Sequence, residues 1–411
     1  MFTLLPLLAC NTIEKIGADT APPDACGGVI YRPLAGFDDE EPVPADVHAA
    51  TFGAAPDPYH VRLQWADDPS TTMAFLWRTD ADTLATQVEY GTDTSYGSTA
   101  SGASFFVGVD GTNGRVHEAH LCDLLPGTTY HYRVGGEGHW SADQTFTTAP
   151  PKGEAAPFRF VVMGDSRDNQ ATFGLLLDAA EEKAPDFYLF SGDAVDIGVN
   201  MNEWDAWFEA GVGHMDRRPV VFAHGNHEFQ AQHYYALVAQ PGNEQWFSLD
   251  YADAHFVVLN DTVAKSGDKE LQAQWMEADL AASTAKWRFA MHHMPAYSSC
   301  TTHGSSEELQ NLWSPIEEAG GVVLDFTGHN HNYERSVPLR DGAETTPELG
   351  TTYVVAAGAG ASLYGNDLSN AFTEVAAITN HYVLVDVAGG TLTLTAYDLG
   401  GNVLDTFTTT R

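Results

Sequence analysis

Five short polar motifs follow apolar runs in the second part of this 411-residue chain. Asp, Asn and His side chains at such positions are ligands for borderline cations such as Zn, Fe or Mn rather than for Ca. One ion would not need six or seven donors. The pattern therefore indicates two ions that share a carboxylate, an arrangement that clamps both ends of an in-line displacement at phosphorus. In chain order the motifs are Gly164-Asp165, Gly192-Asp193, Gly-Asn-His-Glu at 225–228, His292-His293 and Gly-His-Asn-His at 328–331.

Each motif alone is ordinary. A Gly-Asp pair after a strand is usually a turn, and a Gly-Asn-His triplet is a common turn sequence as well. Two neighbouring imidazoles at a strand end can simply be solvated. Five such elements in this order, each at the end of an apolar run, make coincidence a poor explanation.

The elements around these motifs alternate between apolar runs and helical segments, which predicts an α/β domain. Near-continuous apolar runs favour strands covered on both faces, and in an open α/β sheet ligands bind at the strand ends. The final segments 352–356, 381–387 and 391–397 return to β alternation and are predicted to complete a second sheet. The predicted strands before them are 158–163, 187–190, 220–223, 255–259, 287–291 and 322–326, and the predicted helices are 171–183, 270–282 and 305–319.

The region 57–149 has a different pattern, with short β-runs at 61–65, 73–77, 87–90 and 129–134. Period-two alternation at this spacing predicts an all-β sandwich. The segment 124–132 resembles the corner of a fibronectin type III module. Because the region lacks a cluster of His and carboxylates, we interpret it as a packing or spacer domain rather than a catalytic one.

The order GD, GDxxD, GNHE, HxP and GHxH resembles the calcineurin-like metallophosphoesterase superfamily. The preceding β-module and the string GHNHNYERS at 328–336 resemble the purple acid phosphatases in particular. The likeness covers residues 57–411. It implies a catalytic domain over 157–411 with a central two-sheet β-sandwich flanked by helices. It also implies acid phosphatase-like hydrolysis of phosphate monoesters by a metal-held hydroxide at two Fe, Zn or Mn ions, without a covalent enzyme intermediate.

The resemblance also assigns ligands residue by residue. Asp165 and His331 would bind the first metal, and Asp193 would bridge both ions. The second metal would be completed by Asn226, His293 and His329. His293 is preferred to His292 because His293-Met-Pro295 matches the His-x-Pro motif, which leaves His292 as a structural neighbour. His227, next to a ligand, would handle the leaving oxygen.

Two positions depart from the family. Purple acid phosphatases carry a Tyr three residues after the bridging Asp, where this chain has Asp196, and other members carry a His at the position of Arg167. The first metal therefore lacks one ligand, which either Asp196 or a water would supply. Arg167 would grip a phosphate oxygen through its guanidinium, or it is a plain surface charge. His303 lies in the loop where purple acid phosphatases place a substrate-contacting His.

The formal net charge of −37 argues against binding to nucleic acids or anionic membranes, which need a clustered basic face. Such acidity is common at high ionic strength, although surface drift explains it equally well. The apolar start that ends at Cys10 resembles a bacterial lipoprotein signal, and residues 11–56 resemble a tether. The sequence thus predicts a secreted protein or one lipid-anchored at the cell surface. With Cys10 lipidated, one disulfide among the other three cysteines is an option.

Two other functions remain open at this point. One is a phosphodiesterase that acts on nucleotides or phospholipid headgroups, because the same metal pair serves both reactions in this superfamily. The other is a non-catalytic surface binding protein that holds a partner through the β-module and has a degenerate metal site. The complete ligand set argues against the second alternative.

Overall fold

The computed structural model describes residues 43–44, 48–106, 114–263 and 267–411. The predicted signal with Cys10, and most of the tether, lie outside these residues. Within the described ranges, none of the helices has the length and apolarity needed to cross a membrane. Cys122 is disulfide-bonded, whereas Cys300 is buried and free.

The N-terminal domain consists of two facing β-sheets, as the period-two pattern predicts. The strands are β1 (Val43–Pro44), β2 (Tyr59–Gln64), β3 (Met73–Asp80), β4 (Gln87–Gly91), β5 (Ser98–Ser101), β6 (Ala103–Phe105), β7 (Gly114–Leu121), β8 (Thr129–Gly136), β9 (His139–Trp140) and β10 (Gln144–Thr147). One sheet has the strand order β1-β6-β7-β3-β2, and the other has the order β10-β8-β4-β5 with β9 paired to β8. At the predicted corner, the hydroxyl of Tyr130 accepts a hydrogen bond from the backbone N–H of Leu125 at 2.9 Å.

The C-terminal domain contains two larger sheets and six helices among the described residues. Its helices are α1 (Gln170–Glu181), α2 (Met201–Ala210), α3 (Gln232–Leu237), α4 (Asp268–Ala282), α5 (Glu307–Leu312) and α6 (Ser314–Gly320). Its strands are β11 (Phe158–Met163), β12 (Phe187–Phe190), β13 (Val220–Phe222), β14 (Phe247–Tyr251), β15 (Ala254–Val258), β16 (Trp287–Met291), β17 (Leu324–Thr327), β18 (Tyr333–Ser336), β19 (Leu339–Arg340), β20 (Ala343–Glu344), β21 (Thr352–Ala356), β22 (Thr373–Ala377), β23 (His381–Ala388), β24 (Thr391–Asp398) and β25 (Val403–Thr410).

The strands divide between the two sheets differently from our prediction. The six-stranded sheet has the order β13-β12-β11-β23-β24-β25, and the seven-stranded sheet has the order β14-β15-β16-β17-β21-β18-β22. The final segments therefore do not complete a sheet together, because β21 pairs with β17 while β23 pairs with β11. Strand pairing joins segments far apart in the chain, which local alternation does not specify.

Helices α2 and α3 were not predicted. The signal for α2 is present in the sequence, since the side chain of Asn200 accepts a hydrogen bond from the Asn202 N–H and donates one to Glu203. Asn before a helix and Glu at its third position are typical of a helix start. Helix α3 has six residues and its N-cap, Ala231, makes no side-chain capping bond, so it had no comparable signal.

The core between the two large sheets is aromatic. Phe160 of β11 stacks on Phe187 of β12 with ring centroids 5.3 Å apart and meets Phe256, Phe289 and Phe326 of the facing sheet edge-on. Helices α1 and α2 cover the outer face of the six-stranded sheet, and α4 to α6 cover the other outer face. This layering brings the carboxyl ends of β11, β12, β16 and β17 to one edge.

The two domains share buried contacts. The guanidinium of Arg62 on β2 is 2% exposed and donates to the carbonyl of Leu237 at 2.8 and 3.0 Å. Tyr132 on β8 donates to the carbonyl of Asp216. Trp65 packs edge-on against Phe187 in the core of the second domain. The β-module therefore packs directly against the second domain through these contacts.

His255 gives a pH-dependent stability. Burial alone would lower the pKa of His255 from its ordinary value of 6.5. The carboxylates of Asp250 and Asp279, at 2.9 and 2.7 Å from the ring nitrogens, outweigh burial and raise this pKa to about 9. Because the folded pKa exceeds the unfolded one, this contribution is complete below pH 6.5 and is lost as the pH rises through 9. We expect His255→Gln to lower the free energy of unfolding by roughly 3 kcal/mol at pH 6 and little at pH 10.

Urea unfolding at the two pH values measures this difference. His139→Gln is the matched control, since His139 pairs with Asp57 at an exposed position where an ion pair contributes little. Equal destabilisation by His255→Gln at pH 6 and pH 10 would show that packing, and not the charged pair, explains the effect.

Candidate metal centre

The polar motifs meet at one edge of the two sheets. Asp165 follows β11, Asp193 follows β12, His293 follows β16 and His329 follows β17. Asp165, Asp193 and His329 have φ angles of 63°, 55° and 64°, which is unusual for residues with a side chain. Such backbone geometry is found most often at functional sites, where the surrounding structure holds it in place.

One group of donor atoms is formed by Asn226, His293 and His329. The amide oxygen of Asn226 lies 3.0 Å from His293 Nε2 and 2.8 Å from His329 Nδ1. His293 Nε2 is also 3.4 Å from Asp193 Oδ1. These residues, with Asp193, are the four predicted for the second metal.

A second group lies beside it and is formed by Asp165 and His331. His331 Nε2 is 3.4 Å from Asp165 Oδ1. Ligand atoms of Asp165, Asp193 and His293 all lie within 4.8 Å of one another. Asp193 therefore stands between the two groups, which is the position a bridging carboxylate requires.

The orientation of two imidazoles is fixed by backbone carbonyls. His293 Nδ1 donates to the carbonyl of Ser191 at 2.8 Å, and His331 Nδ1 donates to the carbonyl of Ser362 at 2.7 Å. The opposite nitrogen, Nε2, consequently faces the carboxylates in both rings. Metal-bound histidines are held in this way by a hydrogen bond from their second nitrogen.

The buried carboxylates of the centre need a compensating positive charge. Asp165 and Asp193 are buried, and burial raises the pKa of Asp165. Burial would raise the pKa of Asp193 too, but His293 and His227 hold it below its usual range. Burial lowers the pKa of His293, but the carboxylate of Asp193 outweighs burial and raises this pKa to about 10. In the absence of a cation a proton on His293 balances the carboxylates, and metal binding would release it.

The donor atoms fit metal ions. With bonds of 2.0–2.2 Å to nitrogen and oxygen, neighbouring ligands of one ion are about 3.0–3.4 Å apart. The spacings around Asn226 and His293, and between Asp165 and His331, are close to these values. A mixed set of carboxylate, amide and imidazole donors is suited to Fe, Zn or Mn.

Close approach of the loops requires glycine at two positions. A Cβ on Gly328 would lie 2.4 Å from Asp165 Oδ2, and one on Gly192, where φ is 93°, would lie 2.7 Å from the backbone of Gly225. Any larger residue would push the ligand loops apart.

Glu228 ties the loops together, a role that we did not predict. Its buried carboxylate accepts hydrogen bonds from the backbone N–H groups of Asp193, Ala194 and Gly225 at 3.0, 2.8 and 2.7 Å. Glu228 is the last residue of the Gly-Asn-His-Glu motif, so its position in the sequence was the available signal.

His227 lies at the rim of the centre. Its backbone N–H donates to Asp193 Oδ1 at 2.8 Å, and its ring Nδ1 donates to the carbonyl of Asp196 at 2.7 Å. The Nε2 atom is left facing the centre, 3.9 Å from Asp193 Oδ2, and the side chain is 23% exposed. The ring can therefore reach a bound molecule without being a ligand.

Asp196 lies beside the centre and is engaged by another residue. Its carboxylate is paired with the guanidinium of Arg167, and its side chain is 38% exposed. Its Oδ1 atom also lies 3.5 Å from His227 Nδ1. This ion pair favours the second of the two predicted alternatives, a water as the missing ligand of the first metal.

Two aromatic contacts complete the mouth of the site. The exposed ring of His303 lies against His329, with ring centroids 4.4 Å apart. Tyr364 stacks on His331 at 4.1 Å and also contacts His303. We did not predict Tyr364, because its loop between β21 and β22 carries no local motif. His292, predicted as a structural neighbour, is buried between Asp261 and Asp325.

Comparison with known proteins agrees with this geometry. Residues 58–148 match the family model of the purple acid phosphatase N-terminal domain, and residues 158–333 match that of the calcineurin-like phosphoesterases. The chain is a metal-dependent phosphoesterase hydrolase of the calcineurin-like type. Both domains, in this order, are similar to those of the purple acid phosphatases.

Individual relatives have low sequence identity to this chain but align over most of its length. Purple acid phosphatase 21 of Arabidopsis thaliana is 27% identical over 69% of this chain and 67% of its own. Acid phosphatase type 7 of Mus musculus is 28% identical over 69% of this chain and 71% of its own. The structure of purple acid phosphatase PPD1 from yellow lupin superposes with a TM-score of 0.76 at 20% identity, over 87% of this chain and 75% of the lupin chain. At that identity the superposition shows the shared fold.

Proposed function

We propose that the protein hydrolyses phosphate monoesters at a centre of two metal ions. The observation that carries the proposal is the position of Asp193, whose carboxylate lies between the Asn226–His293–His329 group and Asp165 with His331. When bound, two cations there would activate water and neutralise the charge of the phosphoryl oxygens.

The side chains at the rim have complementary tasks. Arg167 and His303 line the approach, and the guanidinium of Arg167 has a fork geometry suited to a phosphate oxygen. Asp196 holds Arg167 in place through their ion pair. His227 Nε2, oriented by the carbonyl of Asp196, is the nitrogen that would deliver a proton to the leaving oxygen.

The net charge of −37 does not oppose an anionic substrate. Charges farther away than a Debye length, roughly 8 Å at physiological salt, are largely screened. The charges that a bound phosphate would meet are those of the cations and Arg167, and the cations would also offset the carboxylates of Asp165 and Asp193.

The ion pair of Asp196 and Arg167 gives one prediction. We expect Asp196→Asn to keep both ions of the centre and to raise KM for a phosphate monoester by at most about fivefold, because an exposed ion pair contributes up to about 1 kcal/mol. Glu89→Gln is the matched control, since Glu89 and Arg133 form an ion pair of comparable partial exposure in the N-terminal domain, outside the centre. Loss of one ion by Asp196→Asn alone would show that Asp196 is a ligand of the first metal.

One experiment tests the proposed function. Purified protein should contain at least two transition-metal ions per chain and hydrolyse an aryl phosphate monoester faster than the matching bis-aryl diester, with both activities lost on chelation and restored by metal. Preference for the diester would make the protein a phosphodiesterase. Absence of both activities from metal-loaded protein would contradict a catalytic role.

A further inference from the structure

A second buried group of potential ligands lies behind the centre. His292, Glu317 and Asp325 are 1%, 0% and 0% exposed, and their ligand atoms all lie within 4.8 Å of one another. The group is distinct from the catalytic ligands. Asp325 on β17 pairs in register with Ala290 on β16, whose side chain faces the layer of α4 to α6. Because side chains alternate along a strand, His292, two residues after Ala290, faces the same layer as Asp325. His293 faces the opposite way and belongs to the catalytic centre.

Three of the four carboxylate oxygens in this group have no hydrogen-bond partner among the described residues. Both carboxylate oxygens of Glu317 and the Oδ1 atom of Asp325 are buried without a hydrogen-bond partner in the part of the chain that the structure describes. Native proteins seldom bury such oxygens unpaired, because the lost hydration is costly. One shared proton could join two of the three oxygens, whereas a cation could coordinate all of them.

His292 is oriented as a metal ligand would be. Its Nδ1 lies 3.0 Å from Asp261 Oδ2, an oxygen that also accepts the backbone N–H groups of His293 and Met294. Its Nε2 lies 3.1 Å from Asp325 Oδ2, close to the spacing of two neighbouring ligands on one ion. A carboxylate behind a metal-bound imidazole is the usual second partner of such a ligand.

We propose that His292, Glu317 and Asp325 form a third, buried binding site for a divalent cation of the zinc class. The site needs no part of the proposed reaction. A divalent ion would balance the charges of the Glu317 and Asp325 carboxylates and so remove the cost of burying these two anions. The third buried carboxylate, Asp261, is already hydrogen-bonded to His292 Nδ1 and to two backbone N–H groups. One nitrogen and several carboxylate oxygens form a donor set suited to Zn or Mn. The ion would fasten α6 to the ends of β16 and β17.

The ion content of variants tests the proposal. We expect three ions per chain in the wild type and two in Glu317→Gln. Glu318→Gln should keep three ions and is the matched control. Glu318 lies on the same helix, but its carboxylate accepts a hydrogen bond from the backbone N–H of Asp341. Removal of Asp193 from the catalytic centre should leave one ion, and the further change Glu317→Gln should remove that ion. This series distinguishes the third site from the two catalytic ions, and its result does not depend on whether the protein is an active phosphatase.

Thermal unfolding provides a second readout. In the Asp193→Ala protein, ZnCl₂ should raise Tm because the ion binds the folded state. The shift should vanish in the double variant Asp193→Ala, Glu317→Leu. Leucine is chosen because its apolar side chain can be buried without a bound ion. An unchanged ion content and an equal ZnCl₂ shift with and without Glu317 would overturn the proposal. In that case Glu317 is protonated, since burial raises its pKa well above its usual range. If no Glu317 variant folds, absence of an ion from Asp193→Ala protein overturns it.

Discussion

Asp193→Ala is expected to remove both ions of the catalytic centre and nearly all phosphatase activity. The Asp193 carboxylate stands between the two donor groups, with Oδ1 3.4 Å from His293 Nε2. Without it, each group keeps at most three protein donors and loses the negative charge that attracts the cations. The loss of kcat/KM should exceed the roughly 10²–10³-fold that removal of a single charge-stabilising group costs. Elemental analysis and a monoester assay measure the two effects.

The control for this prediction is Asp178→Ala, because Asp178 is an exposed carboxylate that pairs with His214 on the protein surface. It should keep full metal content and activity. Circular dichroism would verify that Asp193→Ala is folded. If folded Asp193→Ala protein keeps both catalytic ions, the carboxylate is not shared and the ligand assignment is wrong.

His227→Ala should produce a loss that depends on the leaving group. Its Nδ1 is held by the carbonyl of Asp196 at 2.7 Å, so Nε2 is the nitrogen that can exchange a proton with substrate. Alkyl phosphates have a strongly basic leaving oxygen and should lose on the order of 10²–10⁴-fold in rate, the usual range for general acid catalysis. Activated aryl phosphates need less protonation and should lose clearly less. Values of kcat/KM over a series of esters give the comparison.

His303→Ala is the informative companion. His303 lies across the centre against His329 and should affect all esters alike if it only contacts the phosphate. Equal losses across the series for His227→Ala would mean that His227 positions the phosphate. A leaving-group dependence that appears with His303→Ala instead would transfer the acid role to that residue.

Much of the site could be predicted because its ligands are tied to strand ends. Three of the predicted strands, 158–163, 187–190 and 287–291, coincide with β11, β12 and β16. When a buried strand ends in Gly-Asp or His, the position of the side chain follows from the position of the strand. Local patterns therefore located the ligands before their partners in space were known.

Other features depended on contacts that no local pattern describes. The ion pair of Asp196 with Arg167, 29 residues earlier, is visible only in the structure. Tyr364 reaches His331 from a loop without a motif. His292 looked like a neighbour of a ligand, and only the arrival of Glu317 on α6 and Asp325 on β17 shows the buried group around it.

The order of the domains, the succession of strands and the residues that close each strand follow from the amino-acid sequence, since these depend on periodicity and on the chemistry of short motifs. The division of the strands between two sheets, and the charges that meet beside Asp193, Asp196 and His292, follow from tertiary packing. Side-chain pairing is set by distances of a few ångströms between segments up to hundreds of residues apart. Such distances arise from packing and are not encoded in any single stretch of the chain.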